Sequence, residues 1–183
     1  KRRIEPLCKG LRAQGVRQVH SLDLRPNDGR ASIARLGEQV RTEALALRER
    51  LGCNQIDVVG FSMGALVSRY FLQREGGKSF VRRFVSIAGP HAGTLTAHAL
   101  PLPGGRDMRP GSPLLRALAE DEDPFGDVEV HCVYSRYDLM VVPARTALLP
   151  QRKSAHEVPA LAHRLLVHDP RVHAHVAKLL LAP

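Results

Sequence analysis

Gly60-x-Ser62-x-Gly64 is the pattern in this sequence whose residue types and spacing could do chemistry. A serine hydroxyl attacks well only when it is presented outside a sheet and beside a base. A sharp strand-to-helix turn presents it so, and forces a strained backbone on the serine. Glycines two residues before and after leave room for strand and helix to cross closely. The flanks fit this reading. Gln55-Ile56-Asp57-Val58-Val59 is a short apolar run with β-branched residues, the pattern of a buried strand. From Met63 the pattern turns helical, with Ser62, Leu66 and Tyr70 on one side. The first turn of that helix aims free N–H groups at the reacting centre, so the Met63 N–H is expected to be an oxyanion donor. A bare motif of this kind also occurs as a glycine-rich turn with a structural serine. The strand before it, the helix after it and the partners downstream are what lift it.

Such a serine needs a base and an acid that orients the base. On this kind of scaffold they follow in chain order as Asp or Glu, then His. Catalytic groups gather at the carboxyl ends of parallel strands. Asp138 stands just past an apolar strand pattern ending at Tyr134, in a loop. Asp127 is at the wrong end of that strand, and Asp121 and Asp123 lie in a solvated acidic loop. Among the histidines, His156, His163 and His168 qualify by order, whereas His173 and His175 fall on a terminal helix. His156 falls within a strand and His168 sits just before the helix start at Asp169-Pro170. His163 has the freest position, a narrow preference over His168.

The elements that must position these groups alternate. Residues 2–14 form an amphipathic helix with Ile4, Leu7 and Leu11 on one face, and residues 16–24 read as a strand. Ser32 caps a long helix that Gly52 ends. The elbow strand and helix follow, then a strand over 80–88. Residues 95–111 are rich in Pro and Gly and read as a long loop. Ser112 caps a short helix, residues 127–134 and 153–158 are strands, and Pro170 opens a last helix. Alternation of strand and helix argues for a parallel three-layer α/β sheet. The 183 residues are expected to form one domain, 1–183, with a lid or pocket segment at 92–120.

Composition sets outer limits. A net charge of +9 could serve nucleic acid or an anionic membrane. The arginines are scattered, aromatics are few, and Lys1-Arg2-Arg3 is the longest basic run, which argues against nucleic acid. No uninterrupted apolar stretch is long enough for a membrane span. Cys8, Cys53 and Cys132 have no metal-site spacing and cannot all pair internally. They lean toward a reducing compartment such as the cytoplasm, and the location is otherwise left open.

A resemblance narrows the reading. Val59-Gly60-Phe61-Ser62-Met63-Gly64-Ala65-Leu66-Val67-Ser68-Arg69-Tyr70 resembles the elbow of bacterial lipases and esterases of the α/β-hydrolase superfamily. Gly89-Pro90-His91-Ala92-Gly93-Thr94 is similar to the Pro-His-x-Gly-Thr after their next strand, and 109–115 to the segment ahead of a short lid helix. The segment 134–143 resembles their acid-bearing loop, matching at Asp138. The segment 163–172 resembles their base-bearing one, matching at His163, which decides between His163 and His168. Two departures stand out. Phe61 takes the place of a usual histidine. No His-Gly segment on a strand precedes Val16. In the family that segment supplies the second oxyanion donor, and its strand lies between the strand expected at 16–24 and the elbow strand. The resemblance therefore implies an N-terminally truncated hydrolase, weakly folded on its own.

The resulting expectation is an α/β-hydrolase that cleaves carboxylic, lipid-like acyl esters through an acyl-enzyme. Ser62 attacks, His163 moves the proton and Asp138 holds the imidazole. No cofactor or metal is called for. The partners are a small ester or lipid and, transiently, a lipid surface. Acyl transfer or thioester cleavage would use the same triad, and a non-catalytic scaffold would keep only the shape.

Overall fold

The computed structural model describes residues 3–183; Lys1 and Arg2, part of the basic run and of the first expected helix, lie outside them. Four parallel strands form one sheet in the order β1 (Ile56–Phe61), β2 (Val81–Ile87), β3 (Glu129–Tyr134) and β4 (Ser154–Glu157). Side chains alternate across it. Ile56 and Val58 of β1 pack with Phe84, Val130 and Cys132 on one face, and Val59 and Phe61 with Val85, Ile87 and Val133 on the other. The first face is covered by α2 (Ile33–Leu51) and α3 (Met63–Arg74), the second by α1 (Glu5–Ala13) and α6 (Pro170–Leu181). Both faces thus carry helices, as a parallel sheet requires, and the central strands β2 and β3 are nearly closed to solvent.

Local chemistry sets the ends of these elements. Ser32 Oγ accepts from the Arg35 N–H at the start of α2, and Gly52 closes it at φ 62°. The Asp169 carboxylate caps α6 by accepting from the Arg171 N–H. Ser112 caps the short α5 (Pro113–Ala119) through the Leu115 N–H. At the amino ends of the strands, paired charges close the sheet. Asp57 accepts twice from Arg82, and Glu129 joins Arg83 and Lys153. Among the described residues no helix is long and apolar enough to cross a membrane.

Two expectations are corrected. Residues 16–24 form no strand. Val16 and Val19 pack on the α1–α6 face, whereas Leu22 and Leu24 pack on the α2–α3 face. The segment therefore passes from one face to the other instead of running along the edge, and its alternation serves two cores rather than a ladder. Among the described residues β1 pairs only with β2, and five of its six residues, all but Gly60, are half-buried where β2 is nearly closed to solvent. The second correction concerns 95–111, which is not plain loop. It holds a 3₁₀ turn at Leu95–Ala99 and α4 (Pro103–Asp107). Tertiary hydrogen bonds build these: Gly104 N–H donates to Gly29 O, and the Asp107 carboxylate accepts from the Ile33 N–H.

Candidate active site

The carboxyl ends of the four strands bring the chemistry-bearing residues to one edge of the sheet. Ser62 follows β1 with φ 56° and ψ −129°, a conformation that non-glycine residues avoid at about 1–3 kcal/mol. Its backbone N–H donates to Ile87 O at 2.8 Å, which continues the β1–β2 ladder into the turn. Met63 is the first residue of α3, where N–H groups have no acceptor within the helix. The two glycines differ. A Cβ on Gly60 would sit 2.5 Å from Ala65 Cα and 2.9 Å from Ala65 N, so no other residue fits there. A Cβ on Gly64 would meet nothing within 4 Å, contrary to the expectation that both make room. The close crossing of strand and helix occurs only at Gly60.

Asp138 and His163 are joined across 25 residues of chain. His163 Nδ1 donates to Asp138 Oδ2 at 2.7 Å, and both side chains are buried. The other carboxylate oxygen of Asp138 accepts from the Met140 N–H at 2.8 Å and the Val141 N–H at 3.2 Å. Burial alone would raise the Asp138 pKa. The bond and charge of His163 and the two amide N–H groups outweigh it and hold the carboxyl below its usual value. His163 Nε2 is buried and has no hydrogen-bond partner among the described residues. The His163 ring stacks on Phe61, centroids 4.8 Å apart and planes 29° off parallel. Phe61 immediately precedes Ser62, so this stack brings the imidazole beside the elbow.

The remaining candidates lie away from Ser62 in other settings. Asp121 accepts from Gln73, and Asp123 pairs with Lys78. His156 lies on β4 and stacks on His175 of α6 at 3.9 Å. His168 is exposed, and the His173 ring bonds Val167 O. Among the described residues no group of three or more His, Cys, Asp or Glu side chains is placed to hold a metal ion. Clefts of about 560 and 530 Å³ open along residues 21–28 and against α2, and neither includes Ser62, Asp138 or His163. They are the gaps beside the segment that crosses the sheet edge.

Beneath the elbow lies a polar support that the sequence reading passed over. The buried Arg69 of α3 donates to His91 O, Leu118 O and Gln73, and so ties the chain after β2 and the end of α5 to the elbow helix. Burial lowers its pKa to about 10, with Asp121 opposing and Arg74 adding to the fall. Burial, and then Arg69, push His91 well below the usual histidine value, so its ring stays neutral at 2.7 Å from Ser86 Oγ. Ser135 Oγ donates to Ala160 O and joins the Asp138 loop to the approach of His163. Arg69 stands three residues after Leu66 on the same side of the elbow helix, and the carbonyls of His91 and Leu118 give its charge this task.

Residues 4–137 match the model of the palmitoyl protein thioesterase family. The chain belongs to that family. The match covers most of the chain, including Ser62 and Met63, and stops one residue short of Asp138. Among solved structures it is similar to lipase B of Aspergillus fumigatus, with 16% identity, a TM-score of 0.82, and coverage of 97% of this chain and 49% of that one. It thus spans about half of that lipase. A monoacylglycerol lipase of Paleococcus ferrophilus gives 15% identity and a TM-score of 0.69, covering 98% and 89% of the two chains. The mature lipase of Bacillus licheniformis gives 13% and 0.71, covering 88% and 78%. No curated protein sequence matches. These likenesses establish the α/β-hydrolase fold, and family and fold are those of ester-cleaving hydrolases.

Proposed function

We propose that this member of the family is a serine hydrolase of carboxylic esters with Ser62, His163 and Asp138 as its triad. What supports the assignment above all is His163. Its ring stacks on the residue before Ser62, its Nδ1 is engaged by Asp138, and its Nε2 has no partner among the described residues. That is the state required of a general base: one nitrogen fixed as donor, the other free to take a proton. Ser62 Oγ attacks the acyl carbon as its proton passes to His163 Nε2. The imidazolium is stabilised by the buried Asp138 carboxylate. The Met63 N–H receives the developing oxyanion at the start of α3. His163 then gives its proton to the departing alkoxide, and water releases the acyl group by the reverse sequence.

The substrate is a lipid-like acyl ester, with residues 92–120 as wall of the acyl pocket. Exposed Leu95, Tyr137, Leu139, Met140, Leu161 and Leu165 lie on the loops that carry or adjoin Asp138 and His163. They suit transient contact with a lipid surface. The family match favours a second reading, a palmitoyl thioester substrate. The triad steps are unchanged, but a thiolate leaves without needing the proton from His163.

The test is the Ser62→Ala variant. It should fold, lose turnover of short nitrophenyl esters by at least 10⁴-fold, and fail to react with a fluorophosphonate. A folded Ser62→Ala that keeps most of its activity rejects the assignment. Wild-type rates on palmitoyl ester and palmitoyl thioester choose between the two substrates. Sedimentation of the inert variant with phosphatidylcholine vesicles tests the lipid contact, and an unbound protein argues against it.

A further inference from the structure

We propose that Thr94 is a positioning residue for Asp138, a role that rests on the triad reading above. Asp138 sits at the base of a loop whose tip has little apolar anchorage. Tyr137, Leu139 and Met140 are exposed, Leu139 three-quarters so, and Val141 alone of 139–141 is buried. Yet this loop must hold the Met140 and Val141 N–H groups on Asp138 Oδ1. Hydrogen bonds from the neighbouring chain do the holding. Thr94 Oγ1, itself buried, donates to Met140 O at 2.8 Å and accepts from the Val142 N–H at 2.9 Å. The Met140 residue is thereby held at both ends, its N–H on Asp138 and its carbonyl on Thr94. The Leu95 N–H donates to Val142 O at 2.9 Å, and the Ala92 N–H to Thr146 O at 3.1 Å, so the clamp is continuous. Thr94 is in turn fixed by its own N–H, which donates to Met108 O. A hydroxyl has one proton and two lone pairs, and here the proton and one lone pair meet two backbone groups two residues apart.

Thr96 offers an internal comparison. Its Oγ1 also lies 2.7 Å from Met140 O, but it makes no bond to Val142. It can steady the carbonyl without fixing the loop on both sides. The clamp therefore belongs to Thr94, and Thr96 supports it.

Thr94→Val keeps the shape and removes the hydrogen bonds to Met140 O and the Val142 N–H, together with the 3.1 Å contact to Thr96 Oγ1. An error of the order of an ångström in a catalytic group costs up to about 10²-fold. The expected result is a fall in kcat of about 10- to 100-fold with KM for a short nitrophenyl ester changed far less, because the Thr94 hydroxyl is engaged by the Asp138 loop. Rates are divided by the number of sites titrated to completion with a fluorophosphonate. A purely structural role would lower the number of sites and leave the rate per site alone. Thr94→Ser, which restores the hydroxyl, should recover most of the rate per site, and Thr96→Val should lose less than Thr94→Val. If Thr94→Val does not fold, Thr94→Ala carries the same comparison with Thr94→Ser. Asp138→Asn is measured beside them. An inactive Asp138→Asn with a wild-type rate per site in Thr94→Val overturns the clamp. A fully active Asp138→Asn overturns the triad reading instead.

Discussion

Replacing Asp138 by asparagine should cost this protein about four orders of magnitude in turnover while leaving its fold intact, and the hydrogen bonds say why. The carboxylate takes three bonds, two amide N–H groups on Oδ1 and His163 Nδ1–H on Oδ2. An asparagine amide has one oxygen and one NH₂. If its NH₂ faced Met140 and Val141, two donors would oppose two donors, which is costly in a buried place. The oxygen must therefore stay on those N–H groups, and the NH₂ turns toward His163. That makes Nδ1 an acceptor and puts the ring proton on Nε2, the nitrogen that in the proposed triad receives the Ser62 proton. The base is then present in the wrong tautomer, and loss of its negative partner removes support for the imidazolium. Asparagine in this place on a serine–histidine site lowers kcat by ~10⁴-fold. Stability should fall by at least about 1.5–3 kcal/mol, since all three hydrogen bonds lose their charged acceptor although each keeps a partner. The assay is kcat for nitrophenyl butyrate at pH 8 with thermal unfolding in parallel. A folded Asp138→Asn with more than a tenth of wild-type kcat would refute the tautomer argument and the role given to His163.

The two elbow glycines should respond oppositely to alanine. Gly60→Ala drives a Cβ into the backbone of Ala65 and is expected to cost at least the 1–3 kcal/mol typical of overpacking, whereas Gly64→Ala, in open space within a helix, should be neutral or stabilising by up to about 1 kcal/mol; equal melting temperatures for the pair would sink the explanation. Stability should also decline between pH 7 and pH 5, in part through the buried His91 and in part through the histidines between β3, β4 and α6. Burial lowers the pKa of His131, with Glu129 opposing and Lys153 and Arg83 assisting. Burial, then His156, His131 and Lys178, lower that of His175. Folded pKa values below the unfolded 6.5 mean that the stabilisation is full above that pH and is lost as pH falls below it. His175→Gln, which cannot take up a proton, should flatten the dependence of melting temperature on pH over that window, and an unchanged slope would reject the cluster as its source.

What the sequence determined by itself is local. The elbow is written in Gly60, Ser62 and a β-branched run. The helix ends are written in Ser32, Gly52, Ser112 and Pro170, because a cap or a positive φ depends on residues within one turn. Order along the chain pointed to Asp138 as the acid and narrowed the base to His156, His163 or His168, since parallel strands deliver their loops to one edge; the family resemblance chose His163. What tertiary structure alone decided depends on partners distant in sequence. Residues 16–24 alternate as a strand would, yet the two sets of apolar side chains serve opposite faces of the sheet and no ladder forms. The helix α4 within 95–111 is tied to Gly29 and Ile33 from about 75 residues away, and the turn at 95–99 to Val142. Phe61 became the platform for His163, and Thr94 the clamp on the Asp138 loop, through contacts across 102 and about 48 residues of chain. Local spacing carries no trace of such contacts, because they follow from which loops the sheet brings side by side.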